Sequence, residues 1–195
     1  AAPGETDRVL DVCAAPGGKS FAAAIAMQNE GSVTSCDIHA HKVSLIEKGA
    51  ARLGVSIVHA RQADASQFEP EFEAGFDVVI ADVPCSGLGV IRKKPDIRYK
   101  DLAPMQKLPQ VQAAILENVS RYVKPGGVMV YSTCTVLKRE NENVANAFLA
   151  RHPEFRLEVF ALPAGLDAQT DGMLTLYPHL HEADGFFICK LRKNV

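Results

Sequence analysis

The sequence predicts an α/β fold built on a parallel sheet, and three observations carry that prediction. From Arg8 to about Arg151, short apolar runs alternate with longer stretches of helical periodicity, the pattern of parallel strands joined by crossover helices. The first run, Val9-Leu10-Asp11-Val12, leads through a turn of small residues into an Ala-rich helical pattern. Two later runs end in cysteine: Phe76 to Pro84 before Cys85, and Gly127 to Thr133 before Cys134. If these two runs are neighbouring parallel strands, both thiols emerge at the carboxyl edge of the sheet, where open α/β folds hold their ligands.

Taken in order, a first strand over Val9 to Val12 is followed by a helix from Lys19 to Gln28 and a second strand from Ser32 to Asp37. His41 to Leu53 is helical, with Val43, Ile46 and Ala50 on one face and Gly54 as the C-terminal stop. Strand three is expected from Ser56 to Ala60, strand four from Phe76 to Ala81 and strand five from Val128 to Ser132. Between the last two, Leu108 to Val123 has helical spacing and ends in a turn, Lys124-Pro-Gly-Gly127. After Pro153, Phe155 to Phe160 and Gly185 to Arg192 read as two late strands that close the sheet edge as a hairpin, joined by a loop rich in Gly, Asp and Pro. The irregular stretch Pro84 to Pro104 has the length of a functional loop.

At 195 residues and 47% hydrophobic, the chain fits one domain, 1–195, with a substantial core. No stretch approaches the ~20 apolar residues that span a bilayer, and Ala1 to Asp7 lacks the basic flank and apolar core of an export signal. Cys13, Cys36, Cys85, Cys134 and Cys189 are an odd set without C-x-x-C spacing. That argues against a disulfide scaffold and a zinc cluster, and for a reducing cytoplasm. The pairs His39/His41 and His179/His181 lack the spacing and acidic neighbours of a helical metal motif, so no metal is expected. A net charge of -2 excludes a globally basic nucleic-acid binder, which leaves a local patch, Arg92 to Lys100, as the candidate contact.

The turn after strand one, Cys13, Ala14, Ala15, Pro16, Gly17, Gly18 and Lys19, lets a ligand approach the backbone, and the helix behind it offers unpaired N–H groups. Tight turns of this type also need glycine for geometry alone. Asp37 ends strand two where nucleotide-binding folds place the carboxylate that takes ribose hydroxyls. Asp64, past strand three, either accepts from an adenine amino group or caps a helix beginning at Ala65. The turn departs from G-x-G-x-x-G, which favours a nucleoside cofactor with a small charged tail over a dinucleotide; S-adenosylmethionine fits that description.

Three segments, Asp11-Val-Cys-Ala-Ala-Pro-Gly-Gly-Lys19, Asp82-Val-Pro-Cys-Ser-Gly87 and Ser132-Thr-Cys-Thr135, together resemble the RNA cytosine-5 methyltransferases of the NOL1/NOP2/Sun group. Gly89 to Arg98 and Asp184-Gly-Phe-Phe-Ile188 are similar to its bacterial 16S ribosomal RNA members. The resemblance implies a Rossmann-like methyltransferase with a mostly parallel seven-stranded sheet and helices on both faces. It implies S-adenosylmethionine bound by Cys13 to Lys19, Asp37, Asp64 and Asp82, an active site containing Lys19, and a monomer acting on 16S ribosomal RNA. It further implies Cys134 as nucleophile and Cys85 as the residue assisting product release. Relatives carry N-terminal RNA-binding domains before the first motif, so a chain starting seven residues before strand one is expected to be the catalytic domain alone.

Chemistry independently asks for such a thiol, because C5 of cytosine is a poor nucleophile until a thiolate adds at C6. Asp82 could bond the N3/N4 edge of the base. Cys36 and Cys189 read as buried small hydrophobes within strands, and Cys13 as turn packing. Arg92, Lys93, Lys94 and Arg98, with Tyr99 available to stack on a base, are the candidate RNA contacts at the mouth of the crevice. Rival readings are a non-catalytic RNA-binding module and a cytosine methyltransferase acting on tRNA or DNA; the additional Thr133-Cys134 favours the RNA group over the DNA one.

Overall fold

The computed structural model describes residues 1–162 and 170–195. The chain runs β1 (Arg8–Asp11), α1 (Gly18–Ala26), β2 (Ser32–Asp37), α2 (Ala40–Leu53), β3 (Val58–Gln62), β4 (Phe76–Asp82), α3 (Leu108–Val119) and β5 (Val123–Thr133). It continues through α4 (Glu142–Arg151), β6 (Phe155–Leu157), β7 (Met173–Leu176), α5 (Pro178–His181) and β8 (Phe186–Lys193). One sheet takes the order β3-β2-β1-β4-β5-β8-β6, with β7 also paired to β8. The first five positions are parallel, whereas β8 is antiparallel to β5. Since β6 pairs with Leu191 to Lys193 and β7 with Phe186 to Cys189, the two short strands share one edge position end to end. The sheet is therefore seven positions wide, as expected, filled by eight strands among the described residues.

Successive strand residues face opposite sides of the sheet, so a strand apolar at every position must be covered twice. On one side Val9, Val33, Val78 and Ile80 meet Phe21 and Met27 near α1 and Ile46 and Ala50 of α2. On the other, Leu10, Val79, Met129 and Leu191 meet Ile115, Leu116 and Val119 of α3 and Ala145 and Phe148 of α4. Leu116 and Phe148 are completely or almost completely buried, each contributing on the order of 2–3 kcal/mol. That anchors α3 and α4 beneath the loops that follow β4 and β5. Beyond α1, an apolar groove of about 370 Å³ remains over β4, β5 and β8, lined by Ala22, Ala26, Ile80, Val130, Phe186 and Ile188.

The differences from expectation have local causes. Strand three lies at Val58–Gln62 rather than Ser56 to Ala60, because Val55 and Ile57 are buried ahead of an edge strand whose own residues are half-exposed. The Lys124-Pro-Gly-Gly127 turn is a bulge inside β5: pairing jumps from Phe76 with Val123 to Val78 with Val128, and Gly126 takes φ 75. The helix expected to reach Val123 ends at Val119 and tightens into a 3₁₀ turn over Ser120–Tyr122. The first late strand stops at Leu157, and β7 lies in what reads as loop; the part of that loop at 163–169 is outside the described residues.

Candidate active site

Because β1, β4 and β5 are adjacent and parallel, their carboxyl ends place Asp11, Asp82 and Thr133 along one edge. The turn after β1 is tied to β2 by Ala14 N–H donating to Cys36 C=O at 2.8 Å. Gly17 adopts φ 109, and any side chain there would run into the Phe21 ring, so this glycine is required. The first bond of α1 runs from Phe21 N–H to Gly17 C=O, leaving the earlier amides of Gly18, Lys19 and Ser20 without helical partners. A side chain at Gly18 would meet nothing within 4 Å, so there is open space beside this turn.

Asp37 and Asp64 line one cavity of about 290 Å³, together with Cys13, Ile38, Ala65, Pro84 and Val111. Asp37 is nearly buried and accepts from His39 N–H at 3.0 Å. Asp64 accepts from the Ser66 backbone and hydroxyl at 2.9 and 2.7 Å, closing a turn; no helix begins at Ala65, which removes the helix-cap alternative. Asp11, completely buried, accepts from Ser20 Oγ at 2.8 Å, while its other oxygen has no partner. Burial pushes its carboxyl up to about 6, against the Ser20 hydrogen bond and with some help from Asp82.

Lys19 reaches across from α1 to Asp82, Nζ to Oδ2 at 2.5 Å, and Ser132 Oγ donates to Asp82 Oδ1 at 2.8 Å. Next to this pair lie the two sulfurs, Cys85 Sγ and Cys134 Sγ, 3.1 Å apart and not bonded as a disulfide. Cys134 N–H also points at Cys85 Sγ, at 3.2 Å. Two thiols so close cannot both ionise. The hydrogen bond from Cys85 lowers Cys134 to about 7, against burial and the charge of Asp82 and with help from Lys19. Donating that bond, together with burial, pushes Cys85 far up. Burial chiefly, with smaller contributions from nearby carboxylates, pushes Cys36 and Cys189 up to about 12 and raises Cys13 as well. Among the five cysteines only Cys134 is shifted towards its thiolate, with Cys85 as its hydrogen-bonded neighbour.

The segment after Cys85 folds into short 3₁₀ turns at Leu88–Val90, Pro95–Tyr99 and Ala103–Lys107. Gly89 N–H donates to Cys134 C=O at 2.9 Å, Gly185 N–H donates to Gly89 C=O at 2.8 Å, and a side chain at Gly89 would strike both backbones. The sequence segments around Gly89 and Gly185 therefore touch. Lys93 pairs with Asp184 at 2.6 Å and Arg92 reaches Ala183 C=O, whereas Lys94, Arg98 and Tyr99 stand exposed. Of the four candidate RNA cations, two are engaged with the chain itself.

Sequence reasoning missed Asp11, Glu140, Asn141 and Gln112, all fully buried at this edge, and the apolar rim residues Ile38 and Val111. A carboxylate inside the apolar run Val9 to Val12 was a legible signal for Asp11. Glu140 and Asn141 sit in the polar run Lys138-Arg-Glu-Asn-Glu-Asn143, which reads as solvated surface.

A sheet of this order with this edge defines a Rossmann-like methyltransferase fold. A family model described as "16S rRNA methyltransferase RsmB/F" matches residues 1–192, and the chain belongs to that family. It is 46% identical over 199 residues to a Bacillus subtilis (strain 168) protein named "Probable ribosomal RNA small subunit methyltransferase B", covering 98% of this chain and 44% of the relative. It is 34% identical to the "Ribosomal RNA small subunit methyltransferase F" of Erwinia tasmaniensis, covering 95% of this chain and 40% of that one. The chain thus spans less than half the length of these curated relatives. Among solved structures, NSun6 from Pyrococcus horikoshii with SFG superposes with a TM-score of 0.84 at 32% identity, covering 98% of this chain and 49% of that one. A methyltransferase homologue from the same organism gives 0.80 at 30% identity, covering 98% and 63%.

Proposed function

We propose that the protein transfers a methyl group from S-adenosylmethionine to C5 of a cytosine in 16S ribosomal RNA, with Cys134 as nucleophile and Cys85 releasing the product. The observation that carries this reading is the pair of sulfurs 3.1 Å apart beside the Lys19–Asp82 ion pair. The relatives' names support the ribosomal RNA substrate. The likeness to NSun6 with SFG, an S-adenosylmethionine analogue, supports the cofactor. One chain supplies both thiols, Lys19 and Asp82, so a monomer suffices.

The residues fit the cofactor: the amides of Gly18, Lys19 and Ser20, without helical partners, and the open space beside Gly18 suit a carboxylate. The cavity carrying Asp37 and Asp64, with apolar Ile38 and Val111, suits a ribose and adenine. S-adenosylmethionine supplies an electrophilic methyl group that an activated C5 can take.

Cys134 provides the activation. Its thiolate adds to C6, moving the ring electrons so that C5 becomes nucleophilic. Lys19 offsets the negative charge that builds on the ring, and Asp82 retains acceptor capacity for the exocyclic amine beyond its bonds to Lys19 and Ser132. Once the Cys134 sulfur is bonded to carbon, it no longer holds the Cys85 proton. The main cause keeping Cys85 protonated then disappears, and Cys85 loses its proton to water. As a thiolate it takes the C5 proton, the C5–C6 double bond re-forms, and Cys134 leaves as thiolate.

The test is methylation of a 16S ribosomal RNA fragment by the full-length protein, followed by mass spectrometry of the nucleosides. We expect 5-methylcytidine, abolished by Cys134→Ala. Because the hydrogen bond from Cys85 holds Cys134 below the ordinary thiol range, the rate should fall about tenfold per pH unit on acidification below the thiol's titration and level off above it, at a lower pH than for a free cysteine. Methylation of a ring nitrogen or a ribose oxygen would contradict the reading.

A further inference from the structure

The reaction above makes no use of Glu140, yet this carboxylate is completely buried in the loop after Cys134. Its Oε2 accepts from Ser86 N–H at 2.8 Å and from the Gln112 side-chain amide at 3.1 Å. The same Gln112 nitrogen donates to Pro84 C=O at 2.9 Å. The backbone is thus held on both sides of Cys85.

The next residue does the same for the other cysteine. Asn141, also completely buried, accepts from Thr133 Oγ1 at 2.6 Å and donates from Nδ2 to Thr135 C=O at 3.0 Å, bracketing Cys134. Ser86 Oγ donates to Thr135 Oγ1 at 2.8 Å and joins the two loops. The Tyr131 hydroxyl donates to the Glu140 carbonyl, which ties the dipeptide itself to β5.

A buried carboxylate is costly, and Glu140 leaves its second oxygen without any partner. A residue kept only for stability would be better as a well-packed neutral side chain. What the side chain supplies is a buried oxygen that takes two N–H donors from the Cys85 side, which an amide oxygen in the same place can also do. We infer that Glu140 and Asn141 are positioning residues that jointly set the separation of the two thiols, Glu140 holding the Cys85 loop and Asn141 the Cys134 loop. Their relevance to turnover rests on the two-cysteine reading proposed above; their effect on the thiols does not.

The experiment therefore has two readouts on the full-length protein. Phenylarsine oxide bridges two neighbouring thiols with loss of one water, and peptide mass spectrometry reports whether Cys85 and Cys134 are the pair bridged. Glu140→Gln, which keeps the acceptor oxygen, should bridge at the parent rate. Glu140→Ala and Asn141→Ala should bridge at least roughly tenfold more slowly, with a parallel fall in kcat and unchanged KM for RNA. Ile46→Ala, on the buried face of α2 in the core across the sheet from α3 and α4, controls for lost stability and should leave both readouts intact. Parent-rate bridging in Glu140→Ala, or equal slowing in Ile46→Ala, would overturn the inference. Slow bridging in the alanine variants with undiminished methyl transfer would uphold the clamp and sink the two-cysteine reading.

Discussion

The two halves of the carboxyl edge are built differently. After β1 and β2 the polar groups await a partner: the first amides of α1 have no helical acceptors, space is open beside Gly18, and Asp37 and Asp64 line a cavity. After β4 and β5 the side chains are bonded to one another, from Lys19–Asp82–Ser132 to Cys85–Cys134 and the Ser86, Thr135, Glu140 and Gln112 network, although one oxygen each of Glu140 and Gln112 has no partner. The first half is completed by a ligand; the second is assembled in advance. That division suits a reaction in which binding tolerates small adjustments but an addition and elimination at one ring need two sulfurs at fixed separation.

Substitutions in the two halves should therefore fail differently. In the open half, Asp37→Ala should weaken S-adenosylmethionine binding by about 1.5 kcal/mol or more, the loss expected for a charge-assisted hydrogen bond, while thiol bridging stays at the parent rate. Titration calorimetry reads the first, and unchanged affinity would remove Asp37 from the cofactor site.

A smaller effect is expected at the rim. Lys94→Ala with Arg98→Ala should reduce RNA affinity and flatten its salt dependence by about one unit of slope for each phosphate no longer neutralised. Arg92→Ala with Lys93→Ala should do less to the slope, because those cations already engage Ala183 and Asp184. A filter-binding series over salt separates the pairs, and equal slopes would show that the internal bonds open in the complex.

The open half was also the more legible one. Its turn, its stop at Gly54 and its acidic strand ends follow from local chemistry, since glycine, proline and strand-end carboxylates announce themselves in a short window. The two cysteines were legible for the same reason, as polar endings to apolar runs. What holds them was not: Gln112 is one residue of a helix with ordinary spacing, and Glu140 lies in a charged run, so only long-range packing reveals that both are buried at Ser86. Val55 and Ile57 misplaced strand three because burial under α2 looks in sequence like burial in a strand. β7 was hidden because its pairing partner, β8, lies beyond the intervening α5 and the short segment after it.

The central claim is that the paired thiols divide one reaction between them, and it is tested most directly by trapping the covalent intermediate. Full-length protein carrying Cys85→Ala, incubated with S-adenosylmethionine and 16S ribosomal RNA, should run on a denaturing gel as a protein–RNA adduct that digestion and mass spectrometry map to Cys134. The adduct should be absent in Cys134→Ala, and transient in the parent. An adduct held through Cys85 in the Cys134→Ala protein would reverse the two roles and contradict the account.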